Sequence, residues 1–174
     1  MSTATVPACG LGRKIYFNAQ RLSRAIALVI MLWGCTAPGF NTSNVVWKTY
    51  TNNRYGFEFP YPSNWNALPP PDNNDGIAFV SPQKSSVVIR AWAGNRLPES
   101  SNPDAKITVN PNFKTAQGIP GVMVVEVGQQ GSSMTLTITQ GQVKYYWQGR
   151  SENQDFTDYY RFFYYIAQQY KVPQ

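Results

Sequence analysis

Few side chains in this sequence are equipped for bond-making chemistry. It has no histidine and only two cysteines, Cys9 and Cys35, both early in the chain. Ser-His-Asp and Cys-His nucleophilic machinery is therefore excluded. Zinc sites, which draw on Cys and His, are nearly excluded, and so is a disulfide framework beyond residue 35. Acid–base chemistry would have to come from Glu58, Glu99, Asp104, Glu126 or the acids Asp155 and Asp158, and no spacing pairs two of them. Asp72-Asn73-Asn74-Asp75-Gly76 invites comparison with a calcium loop. Such a loop ends in a glutamate at its twelfth position, where this chain has Gln83, so a solvated turn is expected. No catalytic residue, metal or cofactor is expected.

What remains is suited to recognition. Arg90, Trp92, Lys144, Tyr146 and Trp147 combine aromatic rings with basic groups, which suits stacking on sugars or on the side chains of a partner. This requires Trp92 and Tyr146 to lie on the sheet face opposite Ile89 and Tyr145. The ordinary alternative is that a helix covers that face too.

Cys35 offers a different chemistry. Ala25–Gly34 is an uncharged apolar run, too short for the roughly 20 residues of a membrane-spanning helix. It has the length of a signal core and follows Arg13, Lys14, Arg21 and Arg24. It closes on Leu32-Trp33-Gly34-Cys35, which resembles a lipobox, with Trp33 in a slot that is normally small. The expectation is a signal over residues 1–34, cleavage after Gly34, and lipidation of Cys35. Residues 35–44, rich in Pro, Gly, Ser, Thr and Asn, then form a flexible tether to one globular domain over 45–174. The formal charge of +6 is mostly a property of the signal, since all nine acids follow the apolar run with eleven of the fifteen bases. The remaining +2 gives no argument for binding nucleic acid.

The elements that must position these residues follow from periodicity. Val45–Tyr50 is a first strand. Tyr55, Phe57, Phe59 and Tyr61 alternate onto one face, Pro60 marks an edge or strand end, and Trp65 drops back from a tight turn. This cluster is read as core rather than docking surface. Ile77–Ser81 and Ser86–Ala93 are strands, the latter with Val87, Ile89, Ala91 and Ala93 on one side. A loop runs from Gly94 to Lys106, with a short strand over Ile107–Val109. Val122–Val127, Met134–Thr139 and Val143–Trp147 form a meander with Met134, Leu136 and Ile138 inward. Phe156, Tyr159, Tyr160, Phe163, Ile166, Ala167 and Tyr170 recur at helical spacing. Ser151 and Gln154 offer a capping box, and Asp155 and Asp158 favour the helix start.

The opening of the domain carries a resemblance. Tyr50, a polar turn, Tyr55-Gly56-Phe57, then Tyr61-Pro62 and Trp65 resemble the start of PsbP-like domains of the Mog1/PsbP fold, including cyanobacterial members that look like lipoproteins. The resemblance implies an α+β fold: a central, largely antiparallel sheet with a C-terminal amphipathic helix packed on it, in an α/β/α sandwich. It further implies a non-enzymatic binding or assembly lipoprotein, anchored on the periplasmic or thylakoid-lumen side and partnered with a protein of a membrane complex such as photosystem II. The histidines that bind metal in some members are absent here. The alternative from the residues themselves is an envelope lipoprotein that binds a glycan or small ligand through Trp92, Tyr146 and Trp147.

Overall fold

The computed structural model describes residues 45–94 and 104–174. The expected signal and tether, with Gly34 and Cys35, and most of the Gly94–Lys106 loop lie outside them.

β1 (Trp47–Thr51) and β2 (Glu58–Pro62) form a two-stranded antiparallel ribbon. Pro60, which has no N–H, sits opposite Thr49 in this ribbon, where a missing donor costs little. The turn between the strands is held by one buried side chain. The Asn52 Oδ1 accepts hydrogen bonds from the Arg54 and Tyr55 N–H groups at 3.0 and 2.8 Å, and its Nδ2 donates to the Asn74 carbonyl at 2.9 Å. Gly56 closes the turn at φ +69°, a conformation that suits glycine.

β3 (Asn66–Ala67), β4 (Gly76–Val80), β5 (Val88–Gly94), β6 (Lys106–Lys114), β7 (Pro120–Val127), β8 (Ser132–Gln140) and β9 (Val143–Ser151) form one sheet. Its order is β3-β4-β5-β9-β8-β7-β6, with every neighbouring pair antiparallel. The meander is thus longer than periodicity suggested, because β6 extends well past Val109. Its register shifts between Asn110 and Phe113, around Pro111, as a last strand tolerates.

One helix, α1 (Asn153–Gln169), packs with the ribbon on one face of the sheet. Phe156, Tyr159, Phe162, Phe163, Ile166 and Ala167 point inward from it. They meet Ile89, Ala91, Met134, Leu136 and Trp147 from the sheet, with Phe57, Phe59 and Trp65 closing one end. The Tyr55-Phe57-Phe59-Tyr61 face is therefore core, as its alternation implied. The seat of the helix is small: a Cβ on Gly149 would lie 2.4 Å from the ring of Phe163.

Two expectations need correction. Tyr160 is exposed and Phe162 takes its place in the core, because the buried stripe is centred between Tyr159 and Ile166. The capping box does not form. Ser151 ends β9 and its Oγ donates to the Glu152 carbonyl, while Gln154 reaches the Glu152 carboxylate. Among the described residues there is a single helix, and it packs on one face of the sheet as expected. Asp155 is buried in the first turn and pairs with Lys84, whose pKa is raised chiefly by that hydrogen bond.

Burial also sets a pH limit. The Tyr170 hydroxyl, fully buried, donates to the Tyr146 carbonyl at 3.4 Å. Burial, reinforced by Tyr145, pushes its pKa well above the ordinary range, and burial raises Tyr145 and Tyr146 as well. The unfolded chain releases these protons first, near pH 10, so it binds fewer protons than the folded chain above that pH. Stability should fall as pH rises beyond about 10, by up to about 1.4 kcal/mol per pH unit for each tyrosine. The Lys84–Asp155 pair acts in the same direction, since its contribution is present below the lysine's ordinary 10.5 and fades as pH rises through the folded value. Urea melts between about pH 8 and about pH 11 should show the decline, and Tyr170→Phe should make it shallower; equal slopes would refute the assignment to Tyr170.

Candidate functional site

The site is built on the sheet face turned away from α1. Strand alternation places Arg90 and Trp92 of β5 on that face, with Lys144, Tyr146 and Gln148 of β9. The register aligns Arg90 with Gln148 and Trp92 with Tyr146, so these pairs are direct cross-strand neighbours. Trp92 and Tyr146 stack at 5.0 Å with their planes 13° apart. The Arg90 guanidinium lies 4.9 Å from the centre of the Trp92 ring. Its Nε donates to Gln148 Oε1 at 2.9 Å, and Gln148 Nε2 donates to Thr135 Oγ1 at 2.9 Å. A polar row thus crosses β5, β9 and β8 beside the aromatic pair and fixes the guanidinium against the indole. Lys144, opposite Gly94, is exposed at the end of the same face.

Trp147 does not belong to this group. It pairs with Ala91 and faces α1, fully buried, with its ring 6.3 Å from that of Phe163. Its Nε1 has no hydrogen-bond partner, so it serves the core by volume rather than as a ligand-binding donor. Tyr146 is on the predicted face but only 1 % exposed. Trp92, half-buried, is the ring this face presents.

Sequence reading missed the wall beside it. A groove of about 640 Å³ opens where β3 ends and the chain leaves the edge of β4. Leu68, Pro69, Pro71 and the loop from Asp72 to Asp75 line one side, Arg90 and Trp92 the other, with Gly76 and Ala78 between. Gly76 is required here, since a Cβ would come within 2.4 Å of the Ala91 carbonyl oxygen and 2.7 Å of Trp92 Cβ. The loop is braced by Arg54, which bonds the Asn73 carbonyl at 2.8 Å and Asp75 at 2.7 Å. The Asp72–Gly76 segment is therefore a braced wall. Among the described residues no three Asp, Glu or Cys side chains cluster to hold a metal. The only local signals in the sequence were the proline run and the turn residues, which say loop without saying what the loop faces.

The fold motif Tyr55, Gly56, Phe57, Tyr61, Pro62 and Trp65 lies on the other side, around the ribbon and the helix. Tyr61 stacks on Phe79 at 4.0 Å, and Trp65 meets Phe162 at 5.2 Å.

No model of a known protein family matches the chain, and no curated protein sequence matches it. Solved structures do. The chain is similar to the solution structure of cyanobacterial PsbP (CyanoP) from Synechocystis sp. PCC 6803, with 12% identity and a TM-score of 0.51, covering 80% of this chain and 100% of that one. A crystal structure from Bacteroides thetaiotaomicron VPI-5482 is similar at 12% identity and a TM-score of 0.43, over 68% of this chain and 45% of that one. The strand order, the closing helix and the full coverage of the cyanobacterial structure together show that this chain has the PsbP-like α+β fold.

Proposed function

We propose that the chain is a membrane-tethered, non-enzymatic binding or assembly module that docks a protein of a membrane complex, photosystem II being the setting suggested by the PsbP-like fold. The tether is the lipid on Cys35, and the domain stands on the exported face of the membrane. Among the described residues no helix is long and apolar enough to cross a bilayer. The observation that carries the docking role is the Arg90 guanidinium set on the half-buried Trp92 ring, with the buried Tyr146 stacked behind it, on the sheet face turned away from α1. A preset aromatic–guanidinium pair beside a groove is the composition of interface hot spots. Tethering raises the local concentration of partner and so lets a modest contact suffice.

The test is recovery of a membrane complex by the tagged full chain from solubilised membranes. Arg90→Glu should lower that recovery about tenfold or more while the thermal melt stays near wild type. Recovery unaffected by Arg90→Glu and by Trp92→Ala would place docking elsewhere.

A second reading is favoured by the groove itself. Its volume and its mix of apolar wall and polar rim suit a glycan or other small ligand, with Trp92 as the platform. Calorimetric titration with envelope oligosaccharides tests it, and heat of binding lost in Trp92→Ala would favour it over protein docking.

A further inference from the structure

The outer face of α1 carries three tyrosines, Tyr160, Tyr164 and Tyr165, among Thr157, Asp158, Arg161 and Gln168. Tyr160 and Tyr165 are 40% and 41% exposed. Tyr164, half-buried, stacks on Tyr160 at 6.4 Å with the planes 13° apart. Tyr165 meets Trp47 at 5.2 Å, and Val46, one residue earlier, is 70% exposed. Arg161 is exposed and lies three and four residues before Tyr164 and Tyr165, hence beside both on the helix surface. Lys171 shares a shallow dent with Tyr165. The patch therefore joins rings that have an apolar body and a polar tip to long basic side chains. Such residues settle at the level of lipid headgroups, with the rings at the acyl boundary and the cations reaching phosphate.

From this we infer that the outer face of α1, with Val46 and Trp47, lies on the lipid bilayer. The inference rests on the membrane-tethered reading above, and the position of the tether selects the bilayer as occupant. Cys35 precedes Val45 by ten residues, a reach of at most about 36 Å when fully extended. The chain enters the domain at Val46 and Trp47, inside the patch. A lipid on Cys35 is thus joined to the domain at this face rather than at the opposite sheet face. Arg161 complements anionic headgroups, whereas Lys171 is shared with the Glu58 carboxylate at 3.8 Å. The domain then lies with α1 in the membrane plane and the Arg90–Trp92–Tyr146 face turned outward.

The full chain reconstituted in vesicles of phosphatidylcholine with a minority of phosphatidylglycerol tests this, using lipids brominated near the headgroup as quenchers. The difference between wild type and Trp47→Phe isolates the quenching of Trp47. That difference should be present, and Tyr160→Ser with Tyr165→Ser should reduce it about fivefold or more with no change in the thermal melt. Absence of Trp47 quenching in vesicles that retain the chain overturns the bilayer contact and leaves the tether standing. So does quenching that survives both substitutions. If the two substitutions instead abolish recovery of a membrane protein while Trp47 is unquenched, the face belongs to a protein partner and the inference fails. A chain that leaves the vesicles and carries an unacylated Cys35 by mass overturns the tethered reading and the inference with it.

Discussion

Gly149→Val should destabilise the domain by about 3 kcal/mol or more, and Gly149→Ala by about 1–3 kcal/mol. β9 lies between β5 and β8, so its backbone cannot retreat without disturbing two ladders. A Cβ on residue 149 would meet Cγ and Cδ1 of Phe163 at 2.4 Å. Phe163 cannot retreat either, since it is fully buried against Phe156, Tyr159 and Trp147. The helix would have to lift from the sheet. Phe163→Ala alone should cost about 3–5 kcal/mol through the cavity it leaves. Combined with Gly149→Ala it should cost less than the sum, by at least about 1 kcal/mol, because the new methyl enters vacated space. Urea melts of the four proteins measure this coupling, and additive costs would show that the helix is not seated on Gly149.

Asn52→Ala should cost about 2–4 kcal/mol, a large effect for one polar residue in a turn. It removes the acceptor for two N–H groups and the donor to the Asn74 carbonyl in one step. Asn52→Asp keeps the acceptor but turns a carboxylate toward the Asn74 carbonyl, so it should fall between alanine and wild type only if the turn matters more than the link to the groove loop. The link has its own readout. Asn74 has φ +53°, an uncommon conformation for a residue with a side chain. Without its bond to Asn52, amide exchange over residues 72–76 should quicken in both variants. Unchanged exchange there would show that Arg54 alone braces the loop.

How far the sequence revealed this molecule depended on how many large residues competed for each face. Met134, Leu136 and Ile138 alternate with Ser133 and threonines, and Val87, Ile89, Ala91 and Ala93 keep a strict period of two; both stripes proved to be core. β9 defeated the same reasoning. Tyr145, Tyr146 and Trp147 are consecutive and all buried, two of them facing α1 and one facing away. Hydrophobicity alone cannot assign a side where every residue is aromatic, and Trp147 faces the core rather than joining Trp92. The helix posed the same difficulty, with Tyr159, Tyr160, Phe162 and Phe163 crowded into little more than one turn. β6 was underestimated because Asn110-Pro111-Asn112 reads as a turn, although a last strand can carry such residues. Of the site, only the shared face of Arg90 and Trp92 was legible from parity; their partners Gln148 and Tyr146 follow from the register. The groove wall was not, because Leu68–Asp75 approaches β5 only through the pairing of β3 with β4.

β6 has one further consequence, for behaviour in crowded solution. It ends the described sheet, and its nine residues from Lys106 to Lys114 are nearly all exposed. An open edge of that length ordinarily invites a second copy to add its own strand and start an aggregate. Two copies of β6 meeting antiparallel about Asn110 would bring Lys106 against Lys114 at both ends and Pro111, which has no N–H to donate, against Val109. Ammonium repulsion and a missing donor would meet at every such encounter, so the edge resists fibre growth through its own sequence.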